Sequence, residues 1–223
     1  IPSFLVEYVL KDGFFCHLLR FCWEATPVHP FFEDRPERFW THLSTGLTFP
    51  LHLHLQLELF LVLDGQCDVT VRGQCRTLGP GDLAVIFPNQ VHGYTALSPQ
   101  NRAVLVLCDL SYTGGYGDTL LRCHPEDPFL PAEALHGNIP FAIGELEREQ
   151  RQTEHSPAFA PLVQLVLARA LPALRLERNL TSDRQELTYQ ISHYVGEHFR
   201  EPLTLGTLAQ ELGLNRYHLS HLF

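Results

Sequence analysis

From Leu51 to Leu63 every odd-numbered residue is leucine, while the even positions carry His52, His54, Gln56, Glu58, Phe60 and Val62. Side chains of a β-strand point alternately to opposite faces, so residues of equal parity share a face. Such a run demands two environments. The leucine row must be covered by an apolar layer. The other row places His52, His54 and Glu58 together, provided no bend between His54 and Glu58 breaks the parity.

Two imidazoles and a carboxylate can hold one divalent transition metal and leave positions open for water or another ligand. His92, in the run Pro88-Asn89-Gln90-Val91-His92, is the candidate for a fourth ligand from another strand. Without a metal, the same histidines can hydrogen-bond a small effector or simply line a β-barrel. Both readings stand at this level.

The chain has two regimes. Residues 1–112 hold short β-type runs broken by turn residues, which suits a sandwich or barrel. Phe14–Cys22 is one run. Glu58–Leu63 and Cys67–Arg72 are expected to pair across Asp64-Gly65. Leu83–Phe87 follows the turn Gly79-Pro80-Gly81-Asp82, and Ala103–Leu107 is a further strand. After Ser111–Gly115 the periodicity becomes helical. Phe141–Glu154 has apolar residues at Phe141, Ile143 and Leu146. A second helix from Ser156 to Leu176 has Phe159, Leu162, Val163, Val166, Ala170 and Leu174 at helical spacing, with Leu165, Leu167 and Leu171 widening the stripe. So broad a stripe must be covered on most sides, by the chain's own barrel, by a second copy, or by both. Residues 113–180 are therefore expected to form a helical dimerisation and linker segment. Glu177–Glu186 is polar and reads as linker, and Leu187–Arg200 as another amphipathic helix.

The net charge of −9, from 16 basic and 25 acidic residues, excludes a chain that coats nucleic acid with a broad basic surface. It leaves room for a small DNA-reading module on an acidic sensor. The six cysteines form no CxxC pair and sit mostly in apolar runs, as buried free thiols do. Ile1–Leu10 lacks the pattern of a signal peptide. The apolar stretch Phe159–Leu176 is interrupted by Arg169, Pro172 and Arg175, so it reads as a buried helix with no role in a membrane. A cytoplasmic location is expected.

Residues 181–223 carry a second pattern. Ala209-x3-Gly213-Leu214 precedes Asn215-Arg216-Tyr217-His218-Leu219-Ser220-His221-Leu222-Phe223. Two short helices that cross steeply need a small residue at the crossing and a turn residue at ease at positive φ, which Ala209 and Gly213 supply. Asn215 can cap the second helix, whose polar side would present Arg216, Tyr217, Ser220 and His221 to DNA.

The run Gly46-x5-His52-x-His54-x3-Glu58-x6-Gly65 resembles the first motif of cupins. Gly81-Asp82 followed by Pro88-Asn89-x-x-His92 is similar to the second, with Gln90 where glycine is usual. Leu203-Thr204-Leu205, Leu208-Ala209, Gly213-Leu214 and Leu219-Ser220-x-Leu222-Phe223 resemble the first helix-turn-helix of AraC-type transcriptional regulators. The resemblance implies an α+β chain: a double-stranded β-helix (cupin) barrel at 1–112, helices, and a partial helix-turn-helix domain at 181–223 that stops within its recognition helix. It implies a ligand-responsive regulator and not an enzyme. The metal ligands, or the effector contacts, would be His52, His54, Glu58 and His92, with zinc, nickel, iron or manganese as the ion. DNA, a small polar effector such as a sugar, and a second copy of the chain are the implied partners. The rival is a metal-dependent cupin enzyme, a dioxygenase or isomerase.

Overall fold

In the computed structural model of the chain, residues 30–33, 35–179, 190–191, 194–195, 198 and 202–212 are described. The expected strand Phe14–Cys22, most of the expected linker after Asn179, and Gly213–Phe223 lie outside them.

Eight strands build the body: β2 (Phe39–Thr45), β3 (Thr48–Leu53), β4 (Leu57–Asp64), β5 (Cys67–Val71), β6 (Gln74–Leu78), β7 (Leu83–Ile86), β8 (His92–Ala96) and β9 (Arg102–Cys108). With β1 (Phe31–Phe32) and β11 (Phe129–Leu130) they form two five-stranded sheets, ordered β1-β3-β8-β5-β6 and β11-β7-β4-β9-β2. The chain changes sheet at almost every connection along β2–β9, the winding of a double-stranded β-helix. The expected α+β cupin architecture is therefore present, as two facing sheets. The pairings are antiparallel except for β1 on β3, which is parallel.

One expected pairing is wrong. β4 and β5 lie in different sheets: β4 pairs with β7 and β9, while β5 pairs with β6 and β8. Asp64-Gly65 is a crossover. Gly65 sits at φ 69°, and a Cβ there would lie 3.0 Å from the Asn101 Cα, so glycine lets the chain pass. The hairpin is one step later, at Arg72-Gly73, both at positive φ (51° and 80°). Two left-handed turn residues match the twist of the flanking strands, as in type I′ hairpins. The turn before β7 forms as expected: Asp82 accepts from the Gly79 N–H through Oδ2 and donates its own N–H to the Gly79 carbonyl.

The leucine alternation is explained by two layers. Leu57, Leu59 and Leu61 face out of their sheet and are covered by α2 (Asn138–Gln150) and α3 (Phe159–Ala170). Glu58, Phe60 and Val62 lie on the opposite face of β4, where Phe60 and Val62 join the core that both sheets share. Each fully covered leucine contributes about 1.5–3 kcal/mol. From α2 come Ile139, Ala142, Ile143 and Leu146, while the apolar Phe141 is 61% exposed. From α3 come Phe159, Val163, Val166, Leu167 and Ala170. Much of the apolar width of α3 is thus used within the chain.

The start of the expected linker is also partly ordered structure: β12 (Leu176–Arg178) pairs with β10 (Cys123–Pro125). Further on, α4 (Leu205–Glu211) begins at a capping box in which Thr204 and Thr207 satisfy each other's backbone N–H. Ala209 is buried with Leu208 and Ile191, and Tyr194 and Leu212 pack on them. The helix that Ala209 was expected to cross, from Asn215 onward, lies outside the described residues.

Candidate metal centre

The chain leaves the first sheet at His54 and enters the second at Leu57, with a bend at Leu55-Gln56. That bend breaks the strand, yet the three residues still converge, because the crossover carries His54 over the end of β4. His92 opens β8, opposite His52 in the antiparallel register. The four residues His52, His54, Glu58 and His92 are all buried, at 2%, 1%, 1% and 0% exposure, and one ligand atom from each lies within 4.8 Å of the others.

Glu58 is the hub. Its Oε2 is 2.9 Å from His54 Nε2 and 3.0 Å from His92 Nε2. Its Oε1 accepts a 2.6 Å hydrogen bond from the Tyr94 hydroxyl. Burial alone would push the Glu58 carboxyl up, but hydrogen bonding and electrostatic interaction with His54 and His92 outweigh it and hold the group well below the usual carboxylate range. Burial, and next the Glu58 charge, push the Tyr94 hydroxyl well above its usual value, so it stays a donor. His52 is lowered to about 4, by burial first and the neighbouring His92 second. It is a neutral imidazole at pH 7.

This donor set fits a divalent metal. His52 Nδ1 lies 2.9 Å from the Pro50 carbonyl and His92 Nδ1 lies 2.7 Å from the Gln90 carbonyl. A carbonyl only accepts, so both rings carry a proton on Nδ1 and turn Nε2 inward. That outer hydrogen bond is what orients metal-bound histidines. His92 Nε2 then faces a carboxylate, a contact made favourable by a proton or a cation between them. Bonds of about 2.1 Å allow ligand atoms up to about 4.2 Å apart, so the set closes on an ion with a small contraction.

Two side chains beyond the expected four belong to the site. Tyr94 shares the parity of His92 on β8, and that alternation could have found it. Glu33 follows β1, and its Oε2 is 3.6 Å from His52 Nε2. Its approach depends on the parallel pairing of Phe31 with His52, which local sequence does not reveal. The expected DNA-contacting residues Arg216, Tyr217, Ser220 and His221 lie outside the described residues.

Comparison with known proteins places this geometry. Residues 39–108 match the cupin domain model. A search of curated proteins by sequence gave no match. Among solved structures, ToxT from Vibrio cholerae strain SCE256 with bound unsaturated fatty acid is similar at TM-score 0.55 and 14% identity, over 85% of this chain and 74% of that one. ToxT from Vibrio cholerae O395 bound to (E)-4-(8-methylnaphthalen-1-yl)but-3-enoic acid is similar at 0.54 and 15%, over 83% and 75%. A looser likeness, TM-score 0.40 at 14% identity over 75% and 60%, is to the AraC-like transcriptional activator CuxR. Among the described residues no helix is long and apolar enough to cross a membrane. A segment that matches the cupin domain model is thus set in a chain similar in fold to ToxT.

Proposed function

We propose that this chain is the sensor part and the start of the DNA-binding head of a ligand-responsive transcriptional regulator of AraC type. One observation carries the reading: over more than four-fifths of its length the chain is similar in fold to ToxT, and along it a cupin domain, a helical layer and a capped helix follow one another. The sequence of residues 203–223, with its resemblance to a helix-turn-helix, supports it. Arg216, Tyr217, Ser220 and His221 would meet DNA, and Arg216, at the N-terminal end of the recognition helix, would read base edges.

His52, His54, Glu58 and His92 would hold one divalent ion. Such an ion supplies a fixed positive centre and open positions for an oxygen ligand. The ToxT ligands named above are carboxylic acids, and a carboxylate or a sugar hydroxyl are both oxygen donors of the kind a divalent ion accepts. We take the effector to be a small polar molecule that offers such an oxygen donor. Two copies would associate through the helical layer, where Phe141 is the exposed apolar residue. Location in the cytoplasm follows from a role on DNA.

A second reading has its own support: three histidines and one glutamate, with the Nδ1 protons of His52 and His92 tied to carbonyls, also suit a metal-dependent dioxygenase or isomerase. Selection of genomic DNA fragments on the full-length protein separates the two. The regulator reading expects enrichment of one sequence, lost in Arg216→Ala. No enrichment, together with metal-dependent turnover of a small molecule, would establish the enzyme.

A further inference from the structure

Strand β1 brings a second carboxylate to the histidine cluster. β1 lies parallel on β3 with Phe31 opposite His52, and the Glu33 N–H donates to the Leu53 carbonyl at 2.9 Å. The Phe31 ring stacks on the His52 ring, 5.8 Å between centroids. Arg35 Nη2 donates to Glu33 Oε1 at 2.9 Å and so fixes the carboxylate. The other oxygen, Oε2, is buried without a hydrogen-bond partner. It points at His52 Nε2, 3.6 Å away.

His52 Nδ1 lies against the Pro50 carbonyl, which leaves Nε2 as the ring atom that faces Glu33 Oε2. A carboxylate oxygen sealed from water without a hydrogen-bond partner costs free energy that a cation beside it would recover. The separation of 3.6 Å is within the span of about 4.2 Å open to two ligands of one ion.

We propose that Glu33 is a further ligand of the metal held by His52, His54, Glu58 and His92, so that metal binding fastens strand β1 to the sheet. The inference rests on the metal reading of that cluster. It extends it, because Glu33 belongs to neither cupin motif. Its consequence is structural: occupancy of the centre is reported outward by the segment around β1, whose pairing with β3 spans two residues.

The test is Glu33→Gln. Glutamine keeps the shape and the acceptor for Arg35 but loses the charge. Zinc and manganese affinities are measured by competition with a chelator, beside the unfolding midpoint of the metal-free proteins and amide exchange of residues 30–33. Expected are one ion per wild-type chain, affinity about ten- to a hundred-fold weaker in the variant, and an unchanged metal-free midpoint. Metal should slow exchange at residues 30–33 in the wild type and not in Glu33→Gln. Equal metal affinity in both proteins, or a variant that is merely less stable without metal, would overturn the role of Glu33 and leave the four-residue centre intact. A wild type that binds neither ion would overturn both.

Discussion

The Tyr94 hydroxyl donates a 2.6 Å hydrogen bond to Glu58 Oε1, on the side of the carboxylate away from His54 and His92. All three partners of this buried carboxylate are therefore protein groups, and each has a direction. Tyr94 stacks on Phe60 at 4.5 Å between centroids, which fixes the ring that carries the donor. The centre is oriented by the shared core as much as by its own residues.

Tyr94→Phe should remove that bond and leave a buried carboxylate oxygen short of a partner. A hydrogen bond to a charged group is worth about 1.5–3 kcal/mol. Denaturant titration of the metal-free protein should show a loss in that range, and metal affinity should fall about ten-fold through the loosened carboxylate. A stability loss under about 0.5 kcal/mol would mean that Glu58 finds a replacement donor.

Leu59→Ala should cost about 2–5 kcal/mol, because Leu59 is fully buried beneath the helical layer. Leu63→Ala should cost far less, since that leucine is 41% exposed. The pair checks the layer assignment within one uninterrupted alternation. Similar losses at both positions would contradict it.

Much of this was legible in the sequence, and the failures are specific. The alternation from Leu51 to Leu63 correctly separated the leucines from His52, His54 and Glu58. It concealed that one run serves two strands in two sheets, because a period of two survives a crossover of even length. Asp64-Gly65 looked like a hairpin turn for the same local reason that Arg72-Gly73 did not: turn propensity reads residue types, while sheet membership is decided by long-range pairing. Tyr94 was readable from its parity with His92. Glu33 was not, since a parallel partner leaves no local trace.

Phe141→Glu should leave the monomer folded, since Phe141 is exposed, and should shift any dimer toward monomer in sedimentation. Val166→Glu should instead unfold the chain, since Val166 is fully buried against the cupin domain. A soluble, folded Val166→Glu protein would contradict the packing of α3.

Thiol reactivity should follow burial. Cys67 is buried, and desolvation pushes its thiol up to about 11. Burial pushes Cys108 up as well. At pH 8 the thiolate fraction of Cys67 is then on the order of one in a thousand. Iodoacetamide with peptide mapping should label exposed Cys75 quickly in native protein, and Cys67 and Cys108 only after unfolding. Fast native labelling of Cys67 would mean that the two sheets open readily.

The central claim is that the histidine centre governs DNA binding, and its most direct test is the affinity of the full-length protein for its selected DNA site. The titration is made with the metal that the purified protein retains, after chelation, and in His92→Ala. Linked sites typically couple by about 5–150-fold. The account predicts a change of at least about five-fold on chelation, reversed by restoring the metal and absent in His92→Ala. Equal affinity in all three conditions would contradict it.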